Sequence, residues 1–245
     1  MTDTWIILGA SSTIAKAFTR SVAQQGAAVI LAGRRMDDLE ANAADATARG
    51  AAQATPVAFD ARRPETFDGV LDAALASGGR LNCAVFVGSM PPQAAIDADP
   101  ALIDGTIADS FTGPARLLQM LAPHLAEQGS GAVVGVGSVA GDRGRLGNYV
   151  YGAAKAGFAT YLSGLRNHLG RSGVHVLTVK PGPVDTAMIQ GLGKQPFMTT
   201  AEAVVADIHT ALRKKRNTLY TKRIWWPVMT VIKLIPEPIF KKMSI

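Results

Sequence analysis

Three residues in the second half of the chain have the types and spacing needed for proton transfer to a carbonyl oxygen. Ser138 follows an apolar run at residues 133–136, and Tyr151 and Lys155 stand four residues apart in a helix-length stretch. Residues at this spacing share one helical face, so we expect the lysine ammonium near the tyrosine phenol. A nearby cation favours the phenolate and moves the tyrosine pKa down from about 10. We predict that Tyr151 is the general acid of a carbonyl reduction and that Ser138 hydrogen-bonds the substrate oxygen.

A turn near the N-terminus has the features of a phosphate-binding site. The first apolar run ends at Gly9, and Ser11 and Ser12 precede a predicted helix that starts with Thr13 and Ile14. A helix N-terminus offers free amides to a pyrophosphate, and the serine hydroxyls can bond phosphate or cap the helix. The turn therefore predicts dinucleotide binding. On this motif alone, an ordinary strand-to-helix turn is the alternative.

Two arginines follow the second apolar run, at the position where a protein that prefers NAD has an acid. The run ends at Gly33 and continues with Arg34 and Arg35, so no carboxylate is present for the ribose 2′-hydroxyl. Guanidinium groups suit a 2′-phosphate, and we therefore predict NADP(H) as the cofactor. The alternative is that both arginines are solvated residues at the start of a helix.

The elements that must position these residues alternate along the chain. Runs rich in Val, Ile and Leu predict buried parallel strands at residues 5–8, 28–32, 55–59, 83–87, 132–136, 175–179 and 218–221. Helices are predicted between them at residues 13–25, 36–49, 64–76, 100–128, 149–171 and 201–215. The alternation predicts one α/β Rossmann domain over residues 1–221, with a doubly wound parallel sheet of about seven strands and helices on both faces. The active site is expected at the carboxyl ends of the strands.

Together these motifs resemble the short-chain dehydrogenase/reductase family over residues 4 to about 220. The resemblance includes the turn after Gly9, Ser138 with Tyr151 and Lys155, and the segment Pro181-Gly-Pro-Val-Asp-Thr186. It implies a nicotinamide-dependent oxidoreductase that acts on C=O and CH–OH groups.

The resemblance also implies roles for single residues. Lys155 would bond the nicotinamide ribose, and Asp60 would contact the adenine, although Asp60 can instead cap the next helix. The residues that would line the carboxamide end, with Thr186 bonding it, are Pro181, Gly182, Val184 and Thr186. The glycine-containing apolar stretch at residues 188–198 is predicted to be a lid over the substrate.

The chain departs from the family pattern at three places. Thr13 and Ala15 replace the second and third glycines of the turn, and the family's Asn-Asn-Ala-Gly reads Val85-Phe-Val-Gly88. The asparagine of the fourth helix appears as Ser110, or as Asp109 if the alignment shifts by one residue. We therefore expect an altered water relay.

The segment from Ser138 to Tyr151 and the ending at residues 235–242 resemble a narrower subfamily, which includes the actinobacterial decaprenylphosphoryl-2-keto-erythro-pentose reductase. This resemblance implies a keto sugar on a polyprenyl phosphate, or a related glycolipid, as the substrate. It also implies Arg143 or Arg145 as a contact for the lipid phosphate, with a solvated loop as the alternative for both arginines.

The end of the chain, residues 222–245, is predicted to be a basic and apolar tail. Residues 213–245 hold nine Lys or Arg and one acid, and the run at 225–235 begins with paired tryptophans. Spanning a bilayer needs about 20 apolar residues, so this run predicts a helix in the interface of an anionic membrane. Packing on another subunit is the alternative, and no nucleic-acid partner is expected because no reading helix is evident.

Composition limits the compartment and the assembly. The single Cys83 lies in an apolar run and allows no internal disulfide, and no signal peptide precedes the first strand, so we expect a cytoplasmic protein. If the tail binds lipid, the location is the inner face of the cytoplasmic membrane. No metal site is predicted. The family resemblance implies a homodimer or homotetramer through the helices that contain Phe111 and Tyr161.

Three functions stay open at this point. The first is reduction of a lipid-linked keto sugar at a membrane surface, and the second is reduction of acyl, steroid or small carbonyl substrates by a soluble enzyme. The third is a non-catalytic NADP-binding sensor, against which the complete set of Ser138, Tyr151 and Lys155 argues.

Overall fold

A parallel sheet of seven strands lies at the centre of the computed structural model, which describes residues 2–189 and 195–243. The strands are β1 (Asp3–Leu8), β2 (Ala28–Gly33), β3 (Gln53–Ala58), β4 (Arg80–Val85), β5 (Ala132–Val136), β6 (His175–Pro181) and β7 (Thr218–Thr221). Their order is β3-β2-β1-β4-β5-β6-β7. The order reverses between β1 and β4, and a parallel sheet has its ligand crevice at this switch point.

Helices cover both faces of the sheet, as predicted. They are α1 (Thr13–Ala23), α2 (Met36–Ala48), α3 (Phe67–Ala76), α4 (Gln93–Ala98), α5 (Leu102–Ile107), α6 (Gly113–Gln128), α7 (Tyr149–Gly170), α8 (Ala201–Arg213), α9 (Trp225–Leu234) and α10 (Glu237–Phe240). Helices α1, α2 and α8 bury their apolar residues on one face, and α3, α6 and α7 bury theirs on the other. The predicted doubly wound Rossmann architecture is therefore confirmed.

Both faces of the central strands β1, β2, β4 and β5 are buried, which explains why these strands read as continuous apolar runs. Successive side chains of a strand point to opposite faces. In β1, Ile7 belongs to the core under α1, whereas Ile6 and Leu8 belong to the core under α6 and α7. A sheet with one solvated face would instead show alternating polar residues.

The helix predicted over residues 100–128 is present as one continuous helical stretch over residues 102–128, in which a π-helical turn joins α5 and α6. The π-helical turn, Ala108–Thr112, places Asp109 in a bidentate ion pair with Arg62, at 2.9 and 2.7 Å. Gly113 then approaches the backbone so closely that a Cβ there would lie 2.3 Å from the carbonyl oxygen of Ala61. Helix α4 was absent from the prediction.

Helix α9 packs on the same chain with one face and leaves the other face exposed. Trp225 and Met229 are 6% and 0% exposed and contact Val139, in the loop after β5. Arg143 donates hydrogen bonds to the carbonyl oxygens of Ile232 and Ile235, at 2.7 and 2.6 Å, near the end of α9. The exposed apolar residues include Trp226, Val231 and Leu234 in α9 and Ile239 in α10. Among the described residues, no helix has both the length and the apolar character needed to cross a bilayer.

Candidate active site

Two adjoining cavities open at the carboxyl ends of the strands. The first, of about 450 Å³, is bordered by residues that follow β1, β4, β5 and β6, and the second, of about 400 Å³, extends toward the end of β2. The predicted site residues that line the first are Ser11, Ser12, Thr13, Ile14, Ser138, Tyr151, Lys155, Pro181, Gly182, Val184 and Thr186. Those that line the second are Gly9, Ser11, Ser12, Arg34, Arg35 and Asp60. The structure therefore brings all the predicted site residues to one continuous crevice.

The turn after β1 lies close to the backbone of the segment that follows β4. Gly9 has a φ of +76°, and a Cβ there would lie 3.1 Å from the backbone of Phe86, so a glycine is required. Ser12 caps α1, because its Oγ accepts a hydrogen bond from the amide of Ala15 at 3.3 Å. The buried Oγ of Ser11 has no partner among the described residues. Ser11 is thus a hydroxyl that a phosphate could satisfy.

The end of β2 presents two cations to the second cavity. Arg34 and Arg35 are both exposed there, and Arg35 forms an ion pair with Asp38 in the first turn of α2. Asp60 lines the same cavity, and its Oδ1 accepts a hydrogen bond from the amide of Arg62 at 3.0 Å. This bond reaches only the amide two residues further on, and neither the 3₁₀ turn Pro64–Thr66 nor α3 has a side-chain cap, so Asp60 does not cap the next helix. Asp60 faces the second cavity.

The three candidate catalytic residues come from β5 and α7. Ser138 follows β5 and caps a short 3₁₀ turn, with its Oγ accepting from the amide of Ala140 at 3.1 Å. Tyr151 lies in the first turn of α7 and is buried. The Nζ of Lys155 lies 5.9 Å from the centre of the Tyr151 ring.

Burial sets the protonation of these groups. It raises the pKa of the Tyr151 phenol from 10.0 to about 12, against the opposing effects of the Ser138 hydroxyl and the Arg145 charge. It lowers the pKa of the Lys155 ammonium from 10.5 to about 8. The expectation that the tyrosine pKa is lowered is therefore wrong for this structure, because desolvation outweighs the Ser138 hydrogen bond and the Arg145 charge. The phenol keeps its proton at neutral pH, as an unperturbed tyrosine also does.

Ser110, rather than Asp109, is the polar side chain beside Lys155. Its Oγ forms hydrogen bonds of 3.3 Å with the backbone amide and carbonyl of Ser89. A Cβ on Gly88 would lie 3.0 Å from the Lys155 Nζ and 3.4 Å from the Ser110 Oγ, so both atoms border the same space. Asp109 is instead engaged by the ion pair of the π-helical turn.

Arg145 and Trp225 both line the first cavity, and the sequence did not predict that they lie together. Arg145 lines the first cavity, whereas Arg143 does not line it and is held by α9. Trp225, which the sequence placed in a tail, also lines this cavity. No local pattern predicts this contact, because Trp225 is distant from Ser138 in the sequence and reaches it only through the packing of α9.

The predicted lid lies partly outside the described residues, because residues 190–194 are not described. On either side of them, Met188 and Gln195 line the first cavity. Within residues 2–189 and 195–243, no group of three or more His, Cys, Asp and Glu side chains is placed to hold a metal ion.

Sequence comparison relates this chain to oxidoreductases. Residues 3–196 match the family model described as short chain dehydrogenase. An uncharacterized oxidoreductase of Mycobacterium tuberculosis is 31% identical over 239 residues, which cover 97% of this chain and 96% of the relative. An uncharacterized oxidoreductase of Streptomyces coelicolor is 31% identical over 242 residues, covering 98% and 95%.

Solved structures share the fold over nearly the whole chain. A short-chain dehydrogenase from Sphingobium yanoikuyae in complex with NADPH aligns with a TM-score of 0.82 and 22% identity, covering 99% of this chain and 96% of that one. A short-chain dehydrogenase from Burkholderia cenocepacia in complex with NADP gives 0.83 and 18%, covering 98% and 96%. The bulky-bulky ketone specific alcohol dehydrogenase from Comamonas testosteroni gives 0.81 and 19%, covering 99% and 95%.

Proposed function

The chain belongs to the short-chain dehydrogenase family of NAD(P)-dependent oxidoreductases, and from this premise we propose that it reduces a carbonyl group with NADPH. The observation that best supports this proposal is that Tyr151, Ser138 and Lys155 line one cavity at the carboxyl ends of the strands. A general acid must hold its proton until the substrate oxygen gains charge.

In this proposal the substrate oxygen lies between the Ser138 hydroxyl and the Tyr151 phenol. Ser138 donates a hydrogen bond that stabilises the developing negative charge, and Tyr151 transfers its proton to that oxygen. Lys155 provides a positive charge near the phenol, which favours the phenolate left after proton transfer. NADPH, when bound, supplies the hydride that the carbonyl carbon accepts.

The residues of the crevice fit an NADP cofactor. The unpaired Ser11 hydroxyl and the start of α1 suit the pyrophosphate, while Arg34 and Arg35 suit the 2′-phosphate. Two proteins of the same fold, from Sphingobium yanoikuyae and Burkholderia cenocepacia, are in complex with NADPH and NADP, and we extend that cofactor to this chain. We assign the carboxamide end to the residues after β6, namely Pro181, Gly182, Val184 and Thr186, and the adenine to Asp60.

For the substrate we propose a keto sugar on a polyprenyl phosphate or a related glycolipid, used in the synthesis of cell-envelope polysaccharide. The support is two exposed apolar side chains at the cavity, Met188, which lines it, and Phe197, which packs on the lining residue Trp225, together with the basic residues of the tail. The names of the relatives specify an oxidoreductase and no substrate. The second candidate is a smaller carbonyl compound, since one protein of this fold is a bulky-bulky ketone specific alcohol dehydrogenase.

We further propose contact between the outer face of α9 and an anionic membrane at the cytoplasmic side, and assembly into a homodimer or homotetramer. Lys222, Arg223 and Lys233 lie beside the exposed apolar residues of this helix, which is the pattern of an interfacial helix. Light scattering of the purified protein would measure the assembly.

The test is NADPH oxidation by purified protein with a polyprenyl-phosphate 2-keto-pentose and, separately, with acyl, steroid and small ketones. We expect Tyr151→Phe to lower kcat by about 10³-fold, because the proton donor is lost. Tyr149→Phe is the matched control, since Tyr149 is exposed and bonds Asp97 instead of lining the cavity.

Each substrate class gives a distinct answer. Turnover of the lipid-linked sugar alone supports the first substrate proposal, and turnover of the other ketones alone supports the second. Binding of NADPH without turnover of any ketone would contradict a reductase and favour a sensor.

A further inference from the structure

Two buried hydrogen-bond donors in the first cavity have no assigned ligand. Among the described residues that line it, the buried side-chain atoms without a partner are Ser11 Oγ, Arg145 Nε and Trp225 Nε1. The proposed cofactor accounts for Ser11. A buried donor without an acceptor is costly, so Arg145 and Trp225 are expected to meet a ligand that accepts hydrogen bonds.

Among the described residues, Arg145 forms no ion pair with a carboxylate, and the charge of Asp142 favours the charged guanidinium only from a distance. The nearby Asp142 is engaged on both oxygens, because Lys180 donates to Oδ1 and Tyr220 donates to Oδ2 at 2.7 Å. The described residues that line the first cavity include no Asp or Glu, whereas Arg145 and Lys155 are both present. The cavity is therefore electropositive where the substrate must enter.

Trp225 adds a neutral donor that is fixed in place. Its Nε1 lies so close to Gly182 that a Cβ on that glycine would be 1.9 Å away, so only a glycine allows this position. Phe197 packs edge-on against the indole, with ring centres 5.8 Å apart, and Val139 contacts it from the loop after β5. A donor held on several sides loses little entropy when it binds an acceptor.

We propose that Arg145 and Trp225 form a recognition site for an anionic group of the substrate, a carboxylate or a phosphate, close to the carbonyl that is reduced. This inference rests on the proposed reductase function and narrows its substrate class. The guanidinium provides a charge-assisted hydrogen bond and the indole a neutral one. The group lies near the reacting carbonyl because Arg145, Trp225 and Tyr151 line the same cavity.

The experiment compares kcat/KM for two matched pairs of ketones at saturating NADPH. One pair is 2-oxo-4-phenylbutanoate and its ethyl ester, and the other is dihydroxyacetone phosphate and dihydroxyacetone. We expect the anionic member to be preferred by about 10-fold or more in at least one pair. A preference in the first pair identifies a carboxylate, and a preference in the second identifies a phosphate. Preference for the neutral member in both pairs overturns the proposal.

The variants assign the preference to the two side chains. Arg145→Gln is expected to lower the ratio of anionic to neutral kcat/KM by about 10- to 100-fold, and Arg145→Lys to restore part of it. Trp225→Phe keeps the ring, removes the donor and is expected to lower the ratio by about 3- to 10-fold. The ratio of anionic to neutral kcat/KM is the readout. Loss of a charge near Tyr151 slows the reduction of both members of a pair and therefore leaves this ratio unchanged.

Two controls separate this site from other effects. Arg171→Gln removes the same charge from an exposed position at the end of α7 and should leave the ratio unchanged. The Kd for NADPH, measured by fluorescence, should also stay unchanged in the Arg145 variants. Equal loss for both members of each pair, or a weakening of NADPH binding that matches the lost ratio, overturns the proposal.

If no ketone is turned over, the reductase proposal fails and the anion site is tested by calorimetry. Binding of 2-oxo-4-phenylbutanoate or inorganic phosphate that Arg145→Gln weakens and Arg171→Gln leaves intact supports the site. Absence of such binding overturns it.

Discussion

Lys155 is a buried cation held by carbonyl oxygens instead of a carboxylate. Its Nζ donates to the backbone oxygens of Val87 and Val136, at 3.1 Å each, and the side chain is 4% exposed. These dipoles fix the ammonium but do not replace its lost hydration, so its pKa falls to about 8. In the cofactor-free protein, the positive charge of Lys155 therefore lowers the free energy of unfolding.

The stability of the cofactor-free protein should rise with pH just above neutrality. Between pH 8 and 9 the unfolded chain keeps the Lys155 proton, with a pKa near 10.5, while the folded chain releases it. Excess protons on the unfolded state make the free energy of unfolding increase with pH, here by about 1 kcal/mol. The buried Cys83 thiol, whose pKa is raised from 9.0 to about 12, offsets part of this increase in the same pH range, because the unfolded chain releases its thiol proton there first.

Denaturant unfolding at several pH values between 7.5 and 9 measures this effect. Lys155→Met should remove the increase, and Lys214→Met, at an exposed position after α8, should retain it. An increase that persists in Lys155→Met would show that another group titrates.

The preference for NADPH over NADH should depend on the two arginines after β2. Arg34→Gln is expected to lower the ratio of kcat/KM for the two cofactors by about 10-fold, because a charge-assisted bond to the 2′-phosphate is lost. The double change Arg34→Gln and Arg35→Gln should lower it further. Arg63→Gln is the control, since Arg63 pairs with Glu65 and does not line the second cavity. An unchanged ratio in the double variant would show that the arginines are only solvated.

The spacing of residues in the sequence was enough to predict the placement of side chains that depend only on the helix or strand that carries them. Tyr151 and Lys155 needed only the helical period, and Arg34 needed only the end of an apolar run. Arg145 and Trp225 could not be predicted together, because their shared cavity depends on how a late helix packs on an earlier loop. The raised pKa of Tyr151 was also beyond reach, since it depends on burial that a spacing rule does not contain.

At the scale of elements, the sheet and the helical stretch over residues 102–128 were predictable, and the π-helical turn within that stretch was not. Residues buried on both faces give continuous apolar runs, and these identified all seven strands. The π-helical turn at Ala108–Thr112 has no periodic signature, because it depends on the Arg62–Asp109 ion pair and on the contact of Gly113 with Ala61. Contacts across about 50 residues of sequence decide that geometry.

Helix α9 should be coupled to the first cavity through Met229. Truncation of this buried side chain in Met229→Ala removes packing worth about 2–5 kcal/mol and should loosen the helix that positions Trp225. We expect faster hydrogen exchange across α9 and a KM raised several-fold, with the Kd for NADPH unchanged. Val231→Ala, on the exposed side of the same helix, should alter neither. A normal KM together with fast exchange would separate the helix from substrate binding.

For the whole molecule, charge and apolar exposure coincide at the end of the chain. The formal net charge is +6, and residues 213–245 contain nine basic residues and one acid. We predict binding to vesicles that contain anionic lipid, weakening as salt increases. The double change Trp226→Ser and Leu234→Ser should reduce vesicle binding by at least about 10-fold, because two exposed apolar side chains are lost. A co-sedimentation assay measures it.

The control for vesicle binding is Leu75→Ser, which removes an exposed leucine from α3 on the body of the protein. Equal binding by the double variant and the unaltered protein would contradict a membrane role for α9. In that case its outer face would be examined as a contact between subunits.

The ribosome delivers α9 after every strand of the sheet. The cofactor turn, Ser138 and Tyr151 are all translated earlier, and domains begin to fold from the N-terminal side during synthesis. The hydrogen bonds from Arg143 to the end of α9 join positions about 90 residues apart, so they form late. A nascent chain should therefore be able to hold its cofactor before α9 completes the first cavity. Catalysis should begin only after α9 has packed on the loop that follows β5.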